Sequence, residues 1–149
     1  AAPSVLIHTD ACQAVGLLPV EPRALGVDAM TINSSKIYGP KGVGALYVRA
    51  GIKIDPYVLG GHQEGGRRAG TENVALMVGF AAALSEAVAL QQDEARRLHV
   101  LQAAFMQELE NAVPGVMFNG HPTLRLPNNV HVCVPEVEGE SLLLLLDQD

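Results

Sequence analysis

Lys36 stands in the stretch Asn33-Ser34-Ser35-Lys36-Ile37-Tyr38-Gly39-Pro40-Lys41-Gly42-Val43-Gly44, behind the apolar run Val27 to Ile32. That run reads as a buried strand, so the lysine emerges where the strand leaves its sheet. An amine held there is partly desolvated, the condition in which a lysine forms a Schiff base with an aldehyde. The glycines and proline behind it make a tight loop in which backbone approaches a ligand closely. An ordinary solvated loop lysine is the competing reading. Asp10 adds a second chemical group. It ends Ser4-Val5-Leu6-Ile7-His8-Thr9-Asp10, which is apolar on both faces before it turns polar, the mark of a central strand in a parallel sheet covered on both sides. Ligands of such sheets bind beyond the carboxyl ends of the strands, where Asp10 and Gln13 would lie. Taken alone, Asp10 reads more readily as a turn or helix-cap residue.

A third informative stretch is Gly60 to Asn73, with five glycines between Gly60 and Gly70 ahead of a helical pattern. Thr71 is the expected N-cap, and Glu72 suits the positive end of the helix dipole. A glycine-rich loop, a helix N-terminus and the pair Arg67-Arg68 together form an anion site, although flexible loops and capped helices also occur with no ligand. His62 has no second His or Cys at ligand spacing, so no metal is expected there.

The remaining elements must position these groups. Pro22 to Leu25 predicts a short helical turn, and Val43 to Val48 a third strand that pairs directly with the second. The first two strands are far enough apart in sequence for a crossover. Val74 to Leu90 is apolar nearly all round and predicts a buried helix. Gln91 to Ala112 predicts a second, surface helix, with Leu98, Leu101, Phe105 and Leu109 on one face and Asp93, Glu94, Arg96 and Arg97 on another. Pro114-Gly115 stops it, and the change of composition there marks a candidate boundary. Val116 to Phe118 and Asn129 to Val134 predict short strands. His131 and Cys133 share one face of the latter and read as strand residues more readily than as a nucleophile pair. Gly139 to Asp149 opens a helix whose Leu142 to Leu146 need something to bury them. The abrupt start and end of the pattern suggest a segment of a longer polypeptide.

With 149 residues the chain is sized for one domain, or one domain plus a piece of another. A net charge of -6 argues against a nucleic-acid surface. The apolar stretches read as interrupted well short of the ~20 residues of a membrane span, and no secretory signal precedes them. Two cysteines, Cys12 and Cys133, without a C-x-x-C pair suggest neither a zinc site nor a disulfide framework, and a reducing cytoplasm is the default location.

In combination, His8-x-Asp10-Ala11-x-Gln13, Ser35-Lys36-Ile37-Tyr38-Gly39-Pro40-Lys41-Gly42-x-Gly44, Gly60-Gly61-x-Gln63-Glu64-x-Gly66-x-Arg68-x-Gly70-Thr71-Glu72-Asn73, Asn119-Gly120 and Val137-Glu138-Gly139-Glu140-Ser141 resemble the cysteine desulfurases of the class V aminotransferase superfamily. The resemblance runs over essentially the whole chain. It implies an α/β chain forming part of a fold-type-I, pyridoxal phosphate-dependent transferase. Residues 1–90 would be the C-terminal part of the cofactor-binding large domain, with a parallel-rich sheet segment. Residues 91–149 would be a linking helix and the beginning of an α+β small domain.

The activity implied is removal of sulfur from L-cysteine, leaving L-alanine and an enzyme persulfide for iron–sulfur clusters or tRNA. A homodimer and a sulfur-acceptor or scaffold protein are the implied partners. Lys36 would hold pyridoxal 5'-phosphate and carry a proton, Asp10 would pair with the pyridine nitrogen, and Gln13 would bond the ring hydroxyl. Asn33, Ser34 and Ser35 occupy the place of phosphate contacts, and Thr71 that of the residue reaching the partner subunit's phosphate. Ser35 replaces the histidine usual before the lysine; its hydroxyl still reaches phosphate but carries no charge. By the same resemblance the upstream phosphate loop and ring-stacking histidine precede Ala1, while the nucleophilic cysteine and the substrate-carboxylate arginine lie beyond Asp149. The segment alone is therefore not expected to complete a turnover. Another class V enzyme such as a selenocysteine lyase shares Lys36 and Asp10, and a non-catalytic segment that folds, dimerises or binds a partner is the alternative of a different kind.

Overall fold

Asp28 decides how the first three strands meet. The computed structural model describes residues 5–148. It divides into two compact units, the first ending at Gln92 and the second beginning at Asp93. In the first unit β1 (His8–Asp10), β2 (Ala29–Asn33) and β3 (Gly44–Val48) form one sheet in that order. β1 runs parallel to β2, with Asp10 opposite Thr31, and β3 runs antiparallel, with Gly44 opposite Asn33. Just ahead of β2, Asp28 is buried, and its carboxylate accepts the Ile7 N–H at 2.8 Å and the Arg49 guanidinium at 2.6 Å. Its backbone donates to Ile7 O and accepts from Arg49 N, both at 2.8 Å. One residue thus sets the starting register of both neighbours.

The crossover between β1 and β2 contains α1 (Pro22–Leu25). Pro22 suits the first helical position, Glu21 accepts the Ala24 N–H at 2.6 Å, and Gly26 closes the turn in the left-handed region at φ 68. Alternate residues of the sheet then face the core. Met30 is buried with Ala11 and Val27 against Ala14, Val20, Ile32 and Tyr47. A second cluster joins Val15, Ile37 and Phe80, with Ala83, Leu84 and Ala87 of α3 (Val74–Ala112) packed on it.

Four expectations change. β1 is an edge of this sheet, not a central strand: among the described residues no other strand pairs with its open side, and Val5, Leu6 and Ile7 stay exposed. Ser4 lies outside the described residues. α3 is one continuous helix of 39 residues instead of two, because Gln91 and Gln92 are helix formers and no glycine or proline interrupts them. Its first half is not buried, since Phe80 alone of its residues is, and Val74, Val78 and Val88 are exposed. By length and composition α3 is also apolar enough to cross a membrane, contrary to the reading that every apolar stretch falls short. In this fold its Phe80, Ala83 and Ala87 serve as core residues against Val15 and Ile37.

In the second unit β4 (Met117–Phe118) and β5 (Val132–Cys133) pair antiparallel, and α4 spans Gly139–Leu146. Gln102 donates to Leu126 O at 3.0 Å and Asn129 O at 2.7 Å, tying the loop around the buried Pro127 to its helix. Val130, Val132 and Val134 are half-buried while His131 and Cys133 are exposed, so the predicted alternation of faces holds. Leu143 to Leu146 of α4 are exposed. Asp149 lies outside the described residues.

Asp28→Ala leaves the Ile7 N–H without its acceptor, and we expect a loss of about 1–3 kcal/mol of unfolding free energy in urea titrations. Arg49→Ala, with the more exposed partner removed, is expected to cost about 1 kcal/mol or less.

Candidate active site

Because β1 and β2 are parallel neighbours, their carboxyl ends deliver Asp10 and Lys36 to the same side of the sheet. Asp10 is the last residue of β1. Its Oδ1 accepts the Cys12 N–H at 2.9 Å, a local turn that fixes the carboxylate beside the chain as it leaves the strand. Gln13 follows, exposed, in the turns in which Ala14 and Val15 N–H donate to Ala11 O. β2 ends at Asn33 and passes into a single 3-10 turn, Ser34–Lys36. Lys36 is exposed at the end of that turn, not desolvated as the buried-strand reading implies.

Charge ties these groups together. The Cys12 thiol is pushed up to about 11, first by burial and then by the Asp10 carboxylate, while Lys36 pulls it the other way. Cys12 therefore feels both ionised groups, and it remains a protonated thiol at neutral pH. Reciprocally, the hydrogen bonds from Cys12, side chain first and then backbone, hold the Asp10 carboxyl below the usual carboxylate range, with His8 adding in the same direction. Asp10 is thus an anion at the end of β1, next to the strand that leads to the amine.

The three residues before Lys36 play different parts. Asn33 Oδ1 caps the turn, accepting the Ser35 N–H at 2.9 Å and the Ser35 hydroxyl at 2.7 Å, which leaves the Asn33 amide N–H groups for other acceptors. Ser35 is exposed. Ser34 is completely buried, its carbonyl accepting Ile37 N–H and Gly39 N–H at 3.1 Å each. Its hydroxyl lies against Gly39 and has no hydrogen-bond partner among the described residues. A Cβ on Gly39 would collide with that hydroxyl and stand 2.9 Å from Ala83 Cβ, so only glycine lets the loop lie this close to α3.

The glycine-rich loop is ordered around Ala69, which is buried and whose N–H donates to Val58 O at 3.1 Å. Gln63–Gly66 (α2) carries left-handed backbone at Glu64, φ 51, and Gly65, φ 65, so it is a tight turn more than a helix. Arg68 folds back to Ala69 O at 2.8 Å, and Gln63 accepts the Gly70 N–H at 3.2 Å. The N-cap of α3 is Asn73 and not Thr71: Asn73 Oδ1 accepts the Leu76 N–H at 3.2 Å. A cap stands immediately before the first helical residue, and two more residues separate Thr71 from Val74. Thr71 is exposed, and among the described residues no hydrogen bond joins it to the Lys36 turn.

The donor set suits pyridoxal phosphate. An exposed primary amine matches its aldehyde, an ionised carboxylate its ring nitrogen, and the amides of Gln13 and Asn33 its oxygens. Sequence reasoning did not single out Cys12, whose thiol is shifted by both charged groups, nor Thr31, the cross-strand neighbour of Asp10. The His8-x-Asp10 spacing was the available signal for Thr31, because residues two apart on a strand share a face.

At pH 8 a thiol held near 11 has a thiolate fraction about a hundredfold below that of an ordinary cysteine. We expect iodoacetamide, followed by peptide mass spectrometry, to label the exposed Cys133 well before Cys12, with Cys12 labelling rising only as pH approaches 11.

Residues 2–149 match the family described as aminotransferase class-V. Cysteine desulfurase IscS of Dictyoglomus turgidum is 48% identical over 143 residues, covering 96% of this chain and 36% of that protein. Cysteine desulfurase IscS of Methanosarcina thermophila is 46% identical over 143 residues, 96% of this chain and 35% of its own length. The crystal structure of a NifS-like protein from Rickettsia africae superposes with a TM-score of 0.90 at 31% identity, covering 96% of this chain and 39% of that one. The chain thus spans little more than a third of the length of these relatives. Its α/β fold is the corresponding part of a pyridoxal phosphate-dependent transferase fold, and the chain belongs to the class-V aminotransferase family.

Proposed function

We propose that this chain is the cofactor-holding segment of a cysteine desulfurase. The observation that carries the reading is the delivery of Asp10 and Lys36 from adjacent parallel strands to one side of the sheet, with Cys12 sensing both. When bound, pyridoxal phosphate supplies the electron sink that permits loss of the substrate Cα proton and cleavage of its Cβ–S bond. Lys36 would hold the cofactor through its amine and would carry the proton at the substrate carbon. Asp10, its carboxyl held below the usual carboxylate range, would pair with the ring nitrogen, Gln13 would bond the ring hydroxyl, and Asn33 and Ser35 would offer polar groups to the phosphate. Ser34 supports the turn from beneath as a buried residue. The reaction converts L-cysteine and a cysteine thiol into L-alanine and a persulfide. Cys12, protonated and bonded to Asp10, is unsuited to be that thiol; by the family resemblance neither it nor Cys133 matches the nucleophile, which would be a cysteine outside this chain.

The same reading carries a cytoplasmic homodimer in which Thr71 of one subunit serves the phosphate held at Lys36 of the other, and a protein acceptor that takes the sulfur toward iron–sulfur clusters or tRNA. Thr71 is exposed and, with the cap assigned to Asn73, its hydroxyl is not needed by its own helix.

Borohydride reduction of the whole, cofactor-loaded protein should fix a pyridoxyl group on the peptide containing Lys36, and Lys36→Ala should abolish it. An adduct on Lys41, or none, overturns the assignment. Mixing Lys36→Ala with Thr71→Val subunits under exchange should restore activity, because one site of each mixed dimer lacks both defects. Mixed dimers that stay inactive would place the Thr71 contact within one chain.

A further inference from the structure

His8 and Asp10 lie two residues apart on β1 and so share a face of the sheet. The residue opposite Asp10 on β2 is Thr31, and cross-strand partners also share a face. Thr31 is bound to β1 on both sides of Asp10. His8 Nε2 and Thr31 Oγ1 share a hydrogen bond of 2.9 Å, and Ala11 N–H donates to Thr31 O at 2.9 Å. The opposite face carries Met30 and Ile32 into the core, so the polar set His8, Thr31 and Asp10 is segregated from it.

β1 is only three residues long, so few main-chain bonds tie it to β2. A side-chain bond from His8 to the residue that also accepts from Ala11 closes a bracket around Asp10. Thr31 in turn lies five residues before Lys36 on the strand that delivers the amine.

We propose that the His8–Thr31 pair is a positioning device that holds the Asp10 carboxylate at a set distance from Lys36, and so sets its alignment with the ring nitrogen of the cofactor. This rests on the functional reading above. His8 acts through Asp10 and is a positioning residue, not a catalytic one. A single hydrogen bond contributes a net effect of about two- to tenfold in an equilibrium. That is the scale on which loss of the pair loosens cofactor binding.

The test uses the whole protein and pyridoxal phosphate itself. His8→Ala and Thr31→Val should each weaken cofactor affinity about two- to tenfold and shift the visible absorption of the bound cofactor, which a purely structural role would leave in place. The double variant should be no worse than either single one, because both remove one bond. Thr31→Ser keeps the hydroxyl and should restore wild-type affinity and absorption. In the cofactor-free protein, hydrogen exchange at the Ala11 amide should quicken in His8→Ala, a readout independent of loading. Unchanged affinity and absorption in His8→Ala beside a normally loaded wild type overturn the inference alone, even if Ala11 exchange quickens. A wild type that takes up no cofactor overturns the functional reading and this inference with it.

Discussion

The arrangement of the site depends on one buried carboxylate far from it. Asp28 accepts from the backbone of Ile7 and from the side chain of Arg49, and its own backbone pairs with both strands. A buried carboxylate stripped of every partner would cost several kcal/mol, whereas one that loses only the half-open Arg49 pair keeps its Ile7 hydrogen bond; an unsatisfied Ile7 N–H would itself cost about 1–3 kcal/mol. Satisfying both requires β1, β2 and β3 to start in one register. From that start a parallel β1 reaches Asp10 opposite Thr31, and β2 runs two residues further to Asn33 before turning. Side chains alternate with a period of two, so a slip of β1 by one residue against β2 would send Asp10 to the core face.

The second constraint acts on the loop behind Lys36. Ile37 is anchored in the cluster with Val15 and Phe80, and Gly39 is pressed between Ser34 and Ala83. Both of their N–H groups reach the same Ser34 carbonyl. Tyr38, caught between, adopts a left-handed φ of 62 with its ring fully exposed. A bulky residue in that region costs on the order of 1–3 kcal/mol and persists only where its neighbours over-determine it. The strain is thus the consequence of fixing Ile37 inward and Gly39 close, and it leaves the Lys36 turn little freedom.

α3 shows how one pattern serves two purposes. Its Ala-rich first half offers small side chains that approach the Lys36 loop closely, as Ala83 does at Gly39. Its continuation carries the exposed pairs Glu94–Arg97 and Asp93–Arg96, and Gln102 grips the loop near Pro127. Exposed i,i+3 pairs are screened by water and add little, so packing and the Gln102 bonds hold the helix more than its charges do.

Local chemistry made much of this legible from the residues alone. The turn at Pro22 to Leu25, the strand before Lys36, the antiparallel return from Val43 and the alternation of Val132 with His131 and Cys133 follow from proline, glycine and hydrophobic period, which act over a few residues. The motif residues and their order also identified the family. Tertiary structure decided what depends on distant partners. It left Val5 to Ile7 at an exposed edge, because apolar composition marks a strand as able to be buried without supplying what buries it. It moved the cap of α3 from Thr71 to Asn73, a choice between neighbouring polar residues made by where the backbone turns helical. It buried Ser34 and exposed Ser35, adjacent and chemically identical, because the 3-10 turn points one at Gly39 and α3 and the other outward. And it paired His8 with Thr31, since residues 23 positions apart meet only when two strands choose a register.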